Sequence, residues 1–265
     1  MKKLVPVLVL FVLMSGCASR EAQIRQVLAD NPKIIFDVME ENPEQFIHSV
    51  NIAARKAQEA EYKKQMAQMK SQEEFNLKNP KHPDLDQERR LSGDTESEIT
   101  IVEYADFQCP ACRMAYQSLN QLKQKYKGKI QFYYKHMPLD FHTLAEPASR
   151  YFEAMKMQNK DKALRFFDYV FQNQSAMTSE AFLKQAAQKV GANLTQLQKD
   201  YGSERISQLI SKDKDEFQNF GFTGTPVILI NGVAMQGAQS LEQMERMIRL
   251  TSQSQEQHEL RQIKK

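Results

Sequence analysis

The stretch Glu98-Ile-Thr-Ile-Val-Glu-Tyr-Ala-Asp-Phe-Gln-Cys-Pro-Ala-Cys112 carries the strongest signals for fold and chemistry in this chain. Residues 98–106 are rich in β-branched and apolar side chains and predict a buried strand. A helix is predicted from Pro110 to about Lys127, because proline suits the first helical position. Ile130 to His136 predicts a second strand, so the unit favours a parallel pair with a right-handed crossover.

The chain has three cysteines, Cys17, Cys109 and Cys112. This number excludes a multi-disulfide scaffold and a four-cysteine metal site. Cys109 opens the predicted helix, where unpaired amides and the helix dipole favour an anion, so we expect its thiol to ionise readily. Cys112 lies one turn later on the same face and can close a short disulfide with Cys109. The pair is a candidate redox centre, with a structural disulfide or a metal site, above all for Cu(I), as the alternatives.

The rest of this region predicts further helices and strands in a regular order. The predicted elements are about four helices between Leu144 and Asn219, a strand Val227–Asn231, a turn at Asn231-Gly232, a strand Val233–Gln236, and a last helix capped by Ser240 and ending at Leu250. Residues 252–265 are polar and are expected to form a frayed tail.

The N-terminus has the pattern of an export signal. Two lysines precede an apolar run, Leu4 to Met14, which is too short to span a bilayer, and small residues follow. Residues 1–16 followed by Cys17 are similar to a bacterial lipoprotein signal, in which this thiol is acylated, and a plain secretory signal is the alternative. Ala18 resembles the second residue of lipoproteins sorted to the outer membrane. We therefore expect an exported protein anchored by lipid on Cys17, on the periplasmic face of the outer membrane or at the cell surface.

Residues 17–76 are expected to be helical almost throughout. Asn31-Pro32 and Asn42-Pro43 each place a capping side chain before a proline and predict helix starts, the third helix reaching about Phe75. Such helices cannot bury their apolar faces on each other alone, so residues 21–75 predict a homo-oligomer, with packing on the following domain as the alternative. Residues 77–97 contain prolines and many charges and predict a linker.

Charge and spacing argue against two classes of partner. The net charge is +3, and basic residues are interleaved with acidic ones, which gives no electrostatic case for nucleic acid. His136 and His142 do not have the spacing of metal ligands, so no metal site is predicted.

Two separated motifs carry a resemblance to a known family. Ile101-Val-Glu-Tyr-Ala-Asp-Phe-Gln-Cys-Pro-Ala-Cys112 and Gly224-Thr-Pro-Val-Ile-Leu-Ile-Asn-Gly232 resemble those of DsbA-type thiol:disulfide oxidoreductases. The resemblance implies an α/β thioredoxin fold over 98–251, with a helical subdomain inserted at about 143–219. The N-terminal helices resemble the oligomerisation segment of ScsC-like members and related outer-membrane lipoproteins.

The resemblance also implies roles for residues around the cysteines. Pro226 corresponds to the cis-proline beside the redox pair, and Thr225 would present backbone groups to an extended substrate peptide. Pro110 and Ala111, between the cysteines, would also contact substrate. Because an alanine replaces the histidine of the strongest oxidants, Cys109 is expected to be less acidic than in those members.

Glu103 matches an acidic residue that the family buries beneath the disulfide. In this position it would have a raised pKa and assist proton transfer to or from Cys112. Lys135, on the neighbouring predicted strand, is a candidate partner for its carboxylate.

The function implied is the formation or reshuffling of disulfides in exported proteins. The Cys109–Cys112 disulfide would be the redox group, with no other cofactor. The partners would be cysteine-containing client proteins and a membrane or periplasmic redox protein. An exported copper-binding or scaffold lipoprotein with a non-catalytic thioredoxin domain is the alternative.

Overall fold

A computed structural model describes residues 20–263 of the chain, with side chains described up to residue 253. The predicted signal at 1–16 and the predicted lipidation site Cys17 lie outside these residues. The chain divides into two compact units, one ending at Met69 and the other beginning at Lys70. Within the described residues, no helix combines the length and the apolar character needed to cross a bilayer.

The N-terminal unit is helical, as predicted. Its helices are α1 (Arg20–Asp30), α2 (Lys33–Glu41) and α3 (Pro43–Lys78), the last of which continues into the second unit. The prediction that Asn31 and Asn42 cap the helices after them is wrong. Their side-chain amides donate instead to the carbonyl oxygens of Val27 and Val38, at 3.0 and 3.1 Å, and so close the helices before them.

A five-stranded mixed sheet forms the centre of the second unit. Its strands are β1 (Arg90–Ser92), β2 (Ile99–Ala105), β3 (Ile130–His136), β4 (Val227–Ile230) and β5 (Val233–Gln236). Their order in the sheet is β1-β3-β2-β4-β5. As predicted, β2 and β3 are parallel, and the other three pairs are antiparallel.

Helices cover both faces of this sheet. They are α4 (Pro110–Lys125), α5 (Ala145–Gln158), α6 (Lys160–Gln172), α7 (Glu180–Lys189), α8 (Leu194–Tyr201), α9 (Glu204–Asn219) and α10 (Leu241–Ile263), with 3₁₀ turns at Gln87–Arg89 and Gln174–Ala176. The helices α4 and α10 pack on one face and α9 on the other. The insertion between β3 and β4 therefore holds five α-helices instead of the predicted four.

Strand β2 is buried on both faces, which explains its nearly continuous apolar sequence. Ile101 belongs to the cluster beneath α4, whereas Val102 and Tyr104 belong to the cluster beneath α9. Alternation of side chains along the strand produces this division. The C-terminal end of β2 leads directly into the cysteine pair.

Part of the predicted linker is folded into the domain. Residues 87–92 form a 3₁₀ turn and the edge strand β1, which pairs with β3. The guanidinium of Arg89 is buried, where it donates to Glu153 at 2.7 Å and to Asp213. The sequence of this charged segment does not by itself predict the strand, because the carboxylates that allow Arg89 to be buried come from α5 and α9.

The last helix is longer than predicted. Ser240 and Gln243 form the expected start, each side chain bonding to the other residue's backbone amide. The helix then continues to Ile263 instead of ending at Leu250, so most of the predicted tail is helical. Its Gln, Glu and Arg residues have high intrinsic helix propensity, which the polar composition obscured.

Candidate active site

The cysteine pair lies where β2 gives way to α4. Cys109 is the N-cap residue of α4, with an extended backbone, and Pro110 occupies the first helical position. Cys112 lies one turn into the helix, and its side chain is fully buried, whereas Cys109 retains a small exposed fraction. Both cysteines carry free thiols in this structure. The chain therefore presents one sulfur near the surface and keeps the second beneath it.

The surroundings of Cys109 favour its thiolate. Interaction with the Cys112 side chain is the largest cause that lowers the pKa of Cys109, which falls to about 5, while burial opposes it. Thr225 and the amides of Cys112 and Ala111 add smaller contributions. The predicted ionisation at the helix start is present, but the second cysteine contributes more to it than the helix amides do.

Cys112 has the opposite character. Burial raises its pKa well above the usual value for a thiol, and the neighbouring Cys109 raises it further. The backbone amide of Asp106 donates to Cys112 Sγ at 3.4 Å and partly offsets this effect. At neutral pH the pair therefore consists of a thiolate near the surface and a buried, protonated thiol.

Glu103 lies on β2 with its side chain almost fully buried. Burial raises its pKa to about 8, and the positive charge of Lys123 on α4 opposes this rise. Its Oε1 atom has no hydrogen-bond partner among the described residues. A carboxyl group in this state can hold or release a proton near neutral pH, as the predicted role in proton transfer requires.

The predicted pairing of Glu103 with Lys135 is wrong. In the parallel register Glu103 lies opposite Tyr134, while Lys135 lies opposite Tyr104. Because adjacent residues of a strand point to opposite faces, Lys135 belongs to the other side of the sheet, where it pairs with Glu216 of α9. The cation that acts on Glu103 comes from α4.

The loop before β4, which is the strand next to β2, lies beside the cysteine pair. The Thr225–Pro226 peptide bond is cis, the geometry that the family resemblance implied. The Thr225 carbonyl oxygen lies 3.6 Å from Cys109 Sγ, while Pro110 is exposed and Ala111 half-buried at the start of α4. The structure thus gathers Thr225, Pro226 and the residues between the cysteines around one sulfur. Their contacts with a substrate stay a prediction.

Side chains that were not predicted hold the loop before Cys109. The buried carboxylate of Asp106 accepts hydrogen bonds from the amides of Gln108 and Leu139, at 2.6 and 2.9 Å. Its Oδ2 atom also lies 2.7 Å from Nδ1 of His142. From the helical insertion, Gln174 donates to the carbonyl oxygens on either side of Gln108. Apart from Gln108, these partners are far apart in sequence and form no local motif, so nothing in the sequence pointed to them.

Within the described residues, no three His, Cys, Asp or Glu side chains converge as metal ligands would.

Comparison with known proteins identifies the family. Residues 85–249 match the family model described as thioredoxin. The chain belongs to the thioredoxin family. Its thioredoxin domain is similar to the probable disulfide bond formation protein D of Bacillus cereus, with 32% identity over 151 residues that cover 53% of this chain and 68% of the relative.

Several solved structures share the fold of this domain. The thiol-disulfide exchange protein alpha-DsbA2 of Wolbachia pipientis has a TM-score of 0.55 and 20% identity, covering 72% of this chain and 96% of its own. Oxidised BdbD of Bacillus subtilis has a TM-score of 0.57 and 18% identity, covering 64% of this chain and 95% of its own. These structures share the thioredoxin fold of this domain, and in sequence and fold the chain resembles the DsbA-type thiol:disulfide oxidoreductases.

Proposed function

We propose that the chain exchanges disulfides with exported client proteins through the Cys109–Cys112 pair. The observation that carries this proposal is the unequal character of the two thiols. The pKa of Cys109 is lowered to about 5 and that of Cys112 is raised by burial. A stabilised thiolate is a good leaving group, so Cys109 is readily released from a mixed disulfide with a client, and reduction of the pair is favoured.

In the oxidising direction, a client thiolate attacks Sγ of Cys109 in the disulfide form. The bond between Cys109 and Cys112 breaks, a mixed disulfide forms, and Cys112 leaves as a thiolate that takes up a proton from Glu103. A second client thiolate then attacks the client sulfur, and Cys109 leaves as a thiolate. The client gains a disulfide and the pair gains two electrons, which a separate redox protein must remove.

Client recognition is proposed to use the backbone beside the cis-proline. The carbonyl of Thr225 faces Cys109, and the segment leads directly into strand β4. An extended client segment that pairs with Thr225 would place its own sulfur against Cys109, with Pro110 and Ala111 forming the other wall. Main-chain pairing of this kind tolerates many client sequences.

The acidity of Cys109 favours an intermediate redox role. Its pKa of about 5 lies between the values of about 7 for thioredoxin and about 3.5 for DsbA. Since a more stable thiolate makes the disulfide more oxidising, the potential of this pair should lie between about −270 and −120 mV. A value in the middle of this range supports reshuffling of client disulfides as well as their formation.

The test is recovery of activity from scrambled ribonuclease by the protein without residues 1–16, in a glutathione buffer. We expect the parent chain to restore activity and Cys109→Ser to lose this ability. Met114→Ala is the matched control and should keep it, because Met114 is an exposed residue of the same helix. Equal recovery by the parent and Cys109→Ser would contradict the proposal, and the potential measured against glutathione would decide between oxidant and isomerase.

We further propose that the chain is exported and held at the outer membrane by lipid on Cys17. The apolar run and the small residues before Cys17 support this location. The expected result is that the parent chain sediments with outer membranes and that Cys17→Ser is released in soluble form. If the parent chain is itself released in soluble form, lipid attachment is contradicted, and residues 1–16 would act only as a secretory signal.

A further inference from the structure

The helical insertion reaches the redox loop through one buried amide. Gln174 lies in the 3₁₀ turn after α6, and its side chain is buried. Its Nε2 atom donates to the carbonyl oxygens of Phe107 and Cys109, each at 2.9 Å. These two carbonyls flank the turn that carries the reacting sulfur, although they lie 67 and 65 residues away from Gln174 in the sequence.

The second of these carbonyls belongs to the first turn of α4. The oxygen of Cys109 also accepts the amides of Cys112 and Arg113, at 3.1 and 3.2 Å. Those bonds orient the opening turn whose amides, at Ala111 and Cys112, face the Cys109 sulfur. Holding this carbonyl therefore holds the donors that stabilise a thiolate.

The ring of Phe107 fixes the same loop from another side. It is fully buried and lies 5.2 Å from the Phe171 ring, centroid to centroid, in an aromatic cluster of the insertion. This apolar contact places the loop but leaves the direction of its carbonyls undetermined. The amide of Gln174 supplies the directional contact.

We propose that Gln174 is a positioning residue of the redox site, through which the helical insertion holds the Phe107 and Cys109 carbonyls and thereby aims the first turn of α4 at the reacting sulfur. This inference rests on the proposed function, since it concerns the reactivity of Cys109. It gives the insertion a part in the chemistry besides covering the sheet.

The charges around Cys109 are unaffected by changes at Gln174. On α4 the ionisable neighbour of Cys109 is Cys112, and Glu103 of β2 acts on Cys112 in turn. The loop before β4 contributes Thr225, and the insertion contributes the neutral amide of Gln174. A neutral substitution at Gln174 therefore tests position and not charge.

The experiment compares Gln174→Met with Gln172→Met in the full mature chain. Methionine keeps the length of glutamine and removes its donors. Gln172 is the matched control, because its amide bonds to Tyr116 of α4, at 3.2 Å, and not to the redox loop. The readout is the ultraviolet absorbance of the Cys109 thiolate as a function of pH. We expect the midpoint of Gln174→Met to rise by about one pH unit and that of Gln172→Met to stay at the parent value.

The pH profile of disulfide reduction gives a signature that general loosening would not produce. The rate follows the thiolate fraction but also rises with the basicity of the sulfur. Below the midpoint, Gln174→Met should be about threefold slower than the parent, and above about pH 7 it should be about threefold faster. A merely destabilised fold would slow the reaction at every pH.

The outcomes separate this proposal from the proposed function. Identical titration of Gln174→Met and the parent, with both folded, would overturn the positioning role while leaving the activity intact. Equal shifts in Gln174→Met and Gln172→Met would overturn it as well. If Gln174→Met does not fold, Gln174→Asn, which keeps the amide but is too short to reach both carbonyls, should shift the midpoint in the same direction, and an unchanged midpoint would again overturn it. If the Cys109 thiol of the parent chain has the lowered midpoint but the parent exchanges no disulfide, the result would instead contradict the proposed function.

Discussion

At the scale of single residues, the two cysteines have separate tasks set by depth. Cys109 keeps a small contact with solvent and has the lowered pKa, while Cys112 is buried. In the proposed reaction, Cys112 is the group that can attack Cys109 in a mixed disulfide and release the client. Replacing Cys112 by serine removes this escape route, so Cys112→Ser should accumulate a mixed disulfide with client proteins. Mass spectrometry under non-reducing conditions measures this product. Cys109→Ser is the control and should trap nothing, and trapping by Cys109→Ser in place of Cys112→Ser would reverse the assignment.

Glu103 makes a second prediction, which concerns stability. Burial raises its pKa from 4.5 to about 8, so the folded state binds more protons than the unfolded chain across this interval. Stability contributed by the protonated group is present below pH 4.5 and is lost as the pH rises towards 8. Glu103→Gln has no titrating group at this position and so lacks this loss. As the pH rises, the difference in unfolding free energy between Glu103→Gln and the parent should therefore increase in favour of the variant, by up to about 1.4 kcal/mol per pH unit.

Urea unfolding at several pH values between 4.5 and 8 measures this difference. Glu98→Gln is the matched control, because Glu98 lies just before the same strand with its side chain 72% exposed. The control should follow the parent at every pH. A Glu103→Gln variant that loses stability in parallel with the parent would show that Glu103 is not the titrating group.

Local sequence predicted the residues that belong to short motifs and missed those that act across the fold. One motif spans β2 and the start of α4 and contains Glu103, Cys109 and Cys112. A second motif, just before β4, contains Thr225-Pro226. Lys123 and Gln174 act through contacts that depend on how helices pack, and Asp106 acts through contacts with the loop between β3 and α5. The prediction that Lys135 pairs with Glu103 shows the limit, since the strand register that puts Lys135 on the other face of the sheet is known only from the structure.

At the scale of elements, the buried arginine before β1 ties the edge of the sheet to the helical insertion. Arg89 bonds to Glu153 of α5 and to Asp213 of α9, and the side chains of all three are almost fully buried. This pairing explains why a charged segment that predicts a linker is folded.

Removal of Arg89 should therefore be costly. Arg89→Met removes the shared arginine from two buried carboxylates, and breaking a buried ion pair in this way typically costs about 3–5 kcal/mol of unfolding free energy. Arg205→Met is the matched control, because the Arg205–Glu88 pair is exposed, at 60% and 51%, and should cost less than about 1 kcal/mol. Urea unfolding at neutral pH measures both, and equal losses would show that the buried network does not hold β1.

At the scale of the whole molecule, the described N-terminal helices carry exposed apolar side chains. No described residue of α1, α2 or α3 is buried, and Ile47 and Val50, one turn apart on α3, are 56% and 44% exposed. Exposed aliphatic side chains at helical spacing are typical of a contact between subunits. We propose that a second copy of the chain covers them, which would bring at least two redox sites into one assembly and favour repeated exchange with a misfolded client.

Charge on this surface should separate the subunits. The double variant Ile47→Asp, Val50→Asp is expected to have the mass of a single chain by light scattering, because each aspartate would lose water in the contact without gaining a partner. The matched control Gln45→Asp, Ser49→Asp adds the same charge on the opposite side of α3, as the helical repeat requires, and should keep the parent mass. Ribonuclease reshuffling should fall in the first variant while oxidation of a reduced peptide stays unchanged, since each redox site remains intact. A parent chain that is itself a single copy would end the proposal, and the apolar helices would then have to pack on their own domain.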